Sequence, residues 1–435
     1  MYFFAQFLWQ LFLRHRCLRL GIKKLFLLLS FISASPLPAI AADAISPSSK
    51  ITLQQALQLA LNANPELSVV LREREAIAGL KTQASIRPNP SLSTSVQDTR
   101  SANRQTTLQL SQEIELGNKR DARIEAADAF YSKATAELES KRAEIHANVI
   151  ATFYEVLAGQ ERFSLAKSSM KVANLALDAA AKRVKAGKSS PVEETKSRIA
   201  EASAKIELRQ AGSQLNSSRS RLSALWGNAS PDFESAEGEV ATIPITGDLN
   251  SLSAMLVNAP AVKVAGIEVQ AREMMTKVER SKATPNITIS GGFINNQELG
   301  GINQALLGFS VPIPIFDRNQ GGLQEAVNRK YKAEDELIAL KNQLSSNLSN
   351  QYERLNAARE ASASLESEIL PSAQSAFDAA SKGFSAGKFN FLDVLDAQRT
   401  LFQAKTQYVQ ALLEAHLAVA EIERILGDVI SHQDH

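Results

Sequence analysis

Two short stretches decide the fold: Val184-Lys185-Ala186-Gly187-Lys188 and Phe384-Ser385-Ala386-Gly387-Lys388, which lie 200 residues apart. Each ends a long segment of helical character, and each is followed at once by a helix-start signal, Ser190-Pro191-Val192-Glu193 or Asn390-Phe391-Leu392-Asp393. Glycine closes helices because it adopts the left-handed backbone conformation. Ser or Asn with an acidic residue three positions later caps the helix that follows. The pattern predicts two tight helical hairpins.

Other landmarks recur in the same order, which indicates an internal two-fold repeat. Ser111-x-x-Ile114-x-Leu116 returns as Ser310-x-x-Ile313-x-Ile315 at a spacing of 199, and Pro65 and Pro90 return as Pro260 and Pro285 at a spacing of 195. Leu225-Trp226-Gly227 returns as Ile425-Leu426-Gly427. We therefore expect a first repeat at 42–227, a linker at 228–248, a second repeat at 249–427 and a tail at 428–435.

Residues 1–41 carry the features of an export signal peptide. Five basic residues precede a short apolar run, Leu25–Ile32, and Ala39-Ile40-Ala41 fits a small-x-small cleavage site. Cleavage after Ala41 removes the single cysteine, Cys17, so the mature chain has no thiol for disulfides, catalysis or zinc binding. It also turns the formal charge of +2 negative, and nothing in this balance points to nucleic acid.

Each half then shows one order of patterns: helix, two strands, long helix, hairpin, helix. Apolar residues alternate with small or polar ones at 92–96, 108–114, 287–293 and 307–315, as in strands with one apolar face. Residues 119–185 contain no proline, and residues 322–385 contain only Pro371, which should kink the helix. The fold class is mixed α and β, with long coiled-coil hairpins and four strands per chain.

The strands raise the question of a membrane. No stretch after residue 41 holds 18 consecutive apolar residues, so a helical span is not expected. Four strands are too few to close a barrel, and an open sheet edge cannot face lipid. If the strands lie in a membrane, two chains would give eight strands and three would give twelve. Leu307, Phe309 and Val311 would then form a lipid-facing strand. The alternative is a soluble periplasmic coiled-coil scaffold capped by two β-hairpins.

Four segments carry a resemblance to a known family: Ile51-Thr-Leu-Gln-Gln-Ala-Leu57, Glu115-Leu-Gly-Asn-Lys-Arg120, Val311-Pro-Ile-Pro-Ile-Phe-Asp-Arg-Asn-Gln-Gly321 and Phe391-Leu-Asp-Val-Leu-Asp-Ala-Gln-Arg399. With them, nearly the whole mature chain resembles the outer membrane efflux protein family, the TolC-like channels. The second and third segments are most similar to the heavy-metal, CzcC-like branch of that family.

The resemblance implies a homotrimer with one shared 12-stranded transmembrane β-barrel in the outer membrane and a helical tunnel through the periplasm. It implies that the hairpin tips contact a periplasmic adaptor (membrane fusion protein) and an inner-membrane resistance-nodulation-division pump. The tip residues are Gly187, Lys188, Ser190, Gly387, Lys388 and Asn390. It also implies that Asp393 and Asp396 form the pore constriction at the periplasmic mouth. The alternative, a carboxylate that favours the helix dipole, suits Asp393 but explains Asp396 less well.

The sequence contains partial matches to catalytic and metal-binding motifs, but their context does not suit those functions. Gly383–Gly387 matches the G-x-S-x-G pattern but follows a helix, whereas a nucleophile elbow follows a strand. His146, His416, His432 and His435 do not form a ligand cluster. We expect a non-enzymatic efflux channel subunit without a cofactor or metal site, exporting divalent heavy-metal cations. The alternatives are a sibling channel for drugs or type I protein secretion, and the soluble scaffold.

Overall fold

The computed structural model describes residues 50–98, 100–386 and 388–427. The predicted signal peptide 1–41, the predicted tail 428–435 and Gly387 lie outside these ranges. The described chain is mostly helical, with a four-stranded sheet and a two-stranded sheet. The expected mixed α and β class is therefore confirmed.

The elements follow one another in the same order in both halves. The first half contains β1 (Lys50–Thr52), α1 (Leu53–Ala63), α2 (Pro65–Ala84), β2 (Ser91–Gln97), β3 (Gln105–Ile114), α3 (Lys119–Lys185) and α4 (Pro191–Ala224). The second half contains β4 (Ser235–Glu237), α5 (Leu249–Met255), α6 (Pro260–Ser281), β5 (Ile287–Asn296), β6 (Ile302–Ser310), α7 (Gln320–Ser364), α8 (Leu370–Ser385) and α9 (Phe391–Leu426).

The two long helical segments differ in continuity. Helix α3 runs unbroken through 67 residues, roughly 100 Å at 1.5 Å per residue. Its counterpart is divided into α7 and α8 by a π-turn at Leu365–Ile369. Pro371 lies just after this turn. Its nitrogen carries no hydrogen to donate, and in a regular α-helix its ring would clash with the backbone carbonyl four residues earlier. The predicted interruption is present as the wider π-turn that accommodates the proline.

Both long helices begin at an asparagine with a left-handed backbone, Asn118 (φ +56°) and Asn319 (φ +58°). Asparagine tolerates this conformation better than most residues. The Nδ2 of Asn319 donates to the backbone oxygen of Glu279 at 2.8 Å and to its carboxylate at 2.7 Å. Gly117 packs so closely on Thr284 that a Cβ would lie 2.6 Å from the threonine Cβ. These contacts fix the turn between the sheet and each long helix.

The larger sheet is antiparallel throughout, in the order β2-β3-β5-β6. Most of its exposed large apolar side chains share one face, on which Leu307 is 89% exposed and Phe309 is 71% exposed, whereas Ile302 and Leu306 lie on the other face. The alternating pattern predicts this strand, but β6 ends at Ser310, so Val311 and the rest of the predicted stretch 307–315 lie beyond the observed strand. Pro312 has no N–H for a sheet ladder, which explains the early end.

A small parallel sheet was not predicted. Strand β1 pairs with β4, so that Ile51 lies opposite Ala236. The side chain of Gln160 on α3 continues the pattern, accepting from Ala236 N–H at 2.7 Å and donating to its carbonyl at 3.0 Å. The expected linker 228–248 is thus packed against the bundle, with Phe233 and Val240 buried in the core.

The helical bundle holds two main clusters of buried apolar residues. The first surrounds Val149, Ile150 and Phe153 of α3, and the second surrounds Leu348 and Leu355 of α7. By length and composition, one helical stretch in the described ranges, Leu249–Ser281, is apolar enough to cross a membrane. It is broken by a 3₁₀ turn before Pro260, and its α6 part packs along α3 and α7, so we assign it to the bundle.

Candidate functional site: hairpin tips and sheet

The first hairpin tip is closed by backbone hydrogen bonds around one glycine. Gly187 adopts φ +69°, its N–H donates to Val184 O at 3.0 Å, and the N–H of Lys188 donates to Arg183 O at 2.9 Å. This pair of bonds is a Schellman motif, and the positive φ confirms the predicted closure of the helix by a left-handed glycine. Ser190 precedes helix α4 as its N-cap, and its Oγ accepts from Val192 N–H at 3.3 Å. Ser190 therefore caps the helix as predicted, but its hydroxyl accepts from the N–H of Val192, whereas a capping box would use the N–H of Glu193.

The second tip is built in the same way. The N–H of Lys388 donates to Gly383 O at 2.7 Å, the equivalent of the Lys188 bond. Helix α9 begins after Asn390, whose N–H donates to the Asp393 carboxylate at 2.9 Å. Gly387 lies outside the described residues. Lys188, Ser190, Lys388 and Asn390 are all exposed on the tips.

The two tips touch through an aromatic contact that the sequence did not reveal. The Arg183 guanidinium lies over the Phe384 ring, 5.1 Å from its centroid. The Phe384 ring meets Phe391 edge to face, with centroids 5.2 Å apart, and Phe391 is buried. Arg183 is oriented by a hydrogen bond to Ser189 Oγ at 3.2 Å. The hairpins therefore lie side by side at the end where all the described tip residues are found.

Asp393 and Asp396 are both exposed, but their surroundings differ. Asp393 occupies the third position of α9 and caps the helix start, as its bond to Asn390 shows. Asp396 borders an open groove of about 840 Å³ between α4 and α9, with Lys196 and Arg399 on the same groove. One carboxylate therefore has a structural role at its own helix, and the other faces a groove of mixed charge.

On the face of the four-stranded sheet opposite Leu307 and Phe309, which we call the inner face, two glycine positions leave no room for a side chain. A Cβ at Gly308 would lie 2.5 Å from Ser290 Oγ, and a Cβ at Gly292 would lie 2.1 Å from the carbonyl oxygen of Leu108. Ser290 itself is buried. Most of the exposed large apolar side chains therefore lie on one face of the sheet, and the other face carries mainly small or polar groups together with Ile294, Ile302 and Leu306.

A partly buried ion pair joins the sheet to the helices. The Arg123 Nη2 atom lies 2.9 Å from Glu115 Oε2, just past the end of β3. The hydrogen bond from Arg123 lowers the pKa of the Glu115 carboxyl, outweighing the opposite effect of burial. Further along α3, Lys133 lies 3.0 Å from the carboxylate of Glu268 on α6, which also pairs with Arg272 of α6 at 2.6 Å. Burial raises the pKa of Glu268, but these bonds lower it more.

The residues considered for metal binding or catalysis make contacts within the fold. His416 is buried, its Nε2 lies 2.8 Å from Val240 O, and its ring stacks on Tyr154 at 3.6 Å. Ser385 of the G-x-S-x-G pattern donates to Ser381 O at 3.0 Å within helix α8. Within the described ranges, no group of three His, Cys, Asp or Glu side chains is placed to hold a metal ion. His432 and His435 lie outside those ranges.

Known proteins are similar to this chain in sequence and in fold. The chain is 42% identical to the cobalt-zinc-cadmium resistance protein CzcC of Cupriavidus metallidurans over 95% of this chain and 100% of the relative. It is 28% identical to the nickel-cobalt-cadmium resistance protein NccC of Alcaligenes xylosoxydans over 67% of this chain and 66% of the relative. The outer membrane protein VceC of Vibrio cholerae superposes with a TM-score of 0.72 at 19% identity, covering 86% of this chain and 96% of VceC.

The family model described as outer membrane efflux protein matches residues 56–228 and 251–428, so that each half is matched separately. Together these ranges span most of the sequence, and the relative at 42% identity covers nearly all of it. The chain belongs to the outer membrane efflux protein family.

Proposed function

We propose that three copies of this outer-membrane efflux channel subunit form one 12-stranded barrel, continued by a helical tunnel in the periplasm. The observation that carries the proposal is the four-stranded sheet, which exposes large apolar side chains on one face. Its outer strands, β2 and β6, each have a strand neighbour on one side only within the described chain. Such edges cannot remain open in lipid, because each unpaired backbone group costs several kcal/mol there. Further copies of the chain would satisfy them.

The proposed cargo is divalent heavy-metal cations. Support comes from the two relatives whose names refer to resistance to cobalt, zinc, cadmium and nickel. The channel would supply a passive exit, and the energy would come from an inner-membrane pump of the resistance-nodulation-division type. A channel for drugs or for type I protein secretion remains the competing reading of the same architecture.

The hairpin tips would receive the periplasmic adaptor. Gly187, Lys188 and Ser190 of the first tip and Gly387, Lys388 and Asn390 of the second are the proposed contact residues. The exposed positions of the described members support this assignment, since an adaptor needs accessible side chains. Asp393 and Asp396 are the proposed constriction at the same end. We also propose that the mature chain begins after Ala41 and that the linker 228–248 separates the two repeats.

Deletion of the gene in its native host tests the cargo. The account predicts lower tolerance to zinc, cadmium or cobalt salts, restored by the intact gene. A control variant with Leu307→Lys should be expressed but not restore tolerance, because it should fail to assemble. Unchanged metal tolerance combined with greater sensitivity to drugs would favour the sibling function. Recovery of the protein in the soluble periplasmic fraction would favour the scaffold.

A further inference from the structure

The sheet itself contains two equivalent strand pairs, which can be aligned through their registers. The Ser-x-x-Ile pattern that ends β3 recurs at a spacing of 199, starting at Ser310, the last residue of β6, so Gln109 corresponds to Gly308. In the structure Ser93 lies opposite Gln109, and Ser290 lies opposite Gly308. Ser93 therefore corresponds to Ser290, at a spacing of 197.

The flanking sequence agrees with this alignment. Pro88-Asn89 and Pro285-Asn286 are also 197 residues apart. The spacing of 195 that relates Pro90 to Pro285 in the sequence is thus wrong for the strands, because the strand pairing equates Pro88 with Pro285. Strand β2 corresponds to β5 at 197, and β3 corresponds to β6 at 199.

The chain already contains one junction between its halves. Strand β3 pairs with β5, and Leu110 lies opposite Gly291 in that junction. The equivalent junction from β6 back to β2 does not occur within the described chain, where β2 and β6 are the two outer strands. In the equivalent junction β6 replaces β3, and β2 replaces β5. Adding 199 to Leu110 gives Phe309, and subtracting 197 from Gly291 gives Thr94. The pair Leu110–Gly291 therefore corresponds to the pair Phe309–Thr94.

We propose that β6 of one copy pairs antiparallel with β2 of a second copy, with Phe309 opposite Thr94. Leu307 then lies opposite Val96, and Ser310 lies opposite Ser93. This inference rests on the proposed assembly of several copies into one barrel, and it adds the residue-level register by which the copies join.

Three features of the chain agree with this register. Leu307, Phe309 and Val311 meet Val96, Thr94 and Leu92 on the apolar face. Gly308 and Ser310 meet Ser95 and Ser93 on the inner face, so small residues oppose small residues there. Pro312 falls opposite Ser91, the first residue of β2, where a residue without an N–H ends a ladder without loss. The register also gives Val311 an apolar partner, Leu92, although it lies beyond β6 in a single copy.

A shift of two residues in either direction keeps the two faces and is the alternative to be tested. It would place Phe309 opposite Leu92 or opposite Val96. Directly opposed residues have Cα atoms about 4.5–5.5 Å apart, within the range of a disulfide. Diagonal neighbours lie at about 7–8 Å, near or beyond that range. Engineered disulfides therefore distinguish the three registers.

The experiment uses the full chain, whose single cysteine, Cys17, lies in the predicted signal. The pair Phe309→Cys with Thr94→Cys is oxidised in isolated outer membranes and analysed on a non-reducing gel. We expect linked dimers and trimers, at least several-fold more than from Phe309→Cys combined with Leu92→Cys or with Val96→Cys. Thr94→Cys with Leu108→Cys is the positive control. These residues are opposed within one chain, so their disulfide should form inside the chain and give no linked dimer or trimer.

Each outcome decides something. Preferential linkage through Leu92→Cys or Val96→Cys would overturn the register while leaving the assembly of copies intact. Absence of linkage between chains in every pair, with the control formed, would overturn both. If the apolar-face variants fail to reach the membrane, Ser310→Cys with Ser93→Cys tests the same register on the inner face, and absence of its linkage would contradict the proposal.

Discussion

Lysine substitutions along β6 test the assignment of the two faces. On the apolar face, Leu307 lies one residue from the middle of the strand and Phe309 lies three residues from it. At about 3.4 Å per residue and a tilt near 40°, these positions are roughly 3 and 8 Å from the midplane of an apolar band about 25 Å tall. Lysine on the lipid face costs about 2–4 kcal/mol at the midplane and about 0–1 kcal/mol near an interface.

We therefore expect Leu307→Lys to destabilise each copy by about 2–4 kcal/mol and Phe309→Lys by about 1–2 kcal/mol. Ser310→Lys is the matched control on the inner face and should cost less than either. The assay is the fraction of assembled protein in outer-membrane vesicles as urea is increased. If Ser310→Lys lost as much assembled protein as Leu307→Lys, or if Phe309→Lys were the most damaging variant, the assigned face or depth would be wrong.

Four further predictions concern the rest of the chain. Asp393→Asn combined with Asp396→Asn should preserve assembly but weaken cation selectivity and block by multivalent cations in single-channel recordings, since acidic rings favour cations; unchanged selectivity would leave the aspartates as helix-start residues only. Phe384→Leu should remove a cation–π contact of about 0.5–1 kcal/mol and broaden the distance distribution between spin labels on the two tips, whereas Phe384→Tyr should not. The Glu115 carboxyl, with its lowered pKa, stabilises the fold fully above its unfolded-state pKa, and that contribution is lost as pH falls through the folded value, so Glu115→Gln should flatten the loss of stability below about pH 4; an unchanged acid profile would contradict this. The mature N-terminus should follow Ala41 by mass measurement, and retention of residues 1–41 would contradict export.

The helical hairpins were predictable because their signals are local. Gly187 closes α3, Ser190 caps α4, and the absence of proline from 119–185 allows one long helix. Each signal involves residues within one or two turns of each other, and local backbone chemistry determines the result. The alternating strands were predictable for the same reason, except that the pattern at 307–315 continues five residues past the end of β6 at Ser310.

The features that were missed depend on residues distant in the sequence. Strands β1 and β4 have three residues each, too few for a periodic pattern, and they pair across more than 180 positions. The contact between Arg183 and Phe384 joins the two tips across 201 positions and has no local signature.

The sequence offered two interpretations of Asp393, a helix cap and a pore constriction. The hydrogen bond from Asn390 N–H to its carboxylate establishes the role as a cap.

The central claim is that several copies of this chain share one barrel in the outer membrane. The most direct measurement is the number of chains in the complex extracted from outer membranes in mild detergent, determined by native mass spectrometry. The account predicts three chains per complex, giving twelve strands. A complex of two chains, or a single chain released by washing the membranes without detergent, would contradict it.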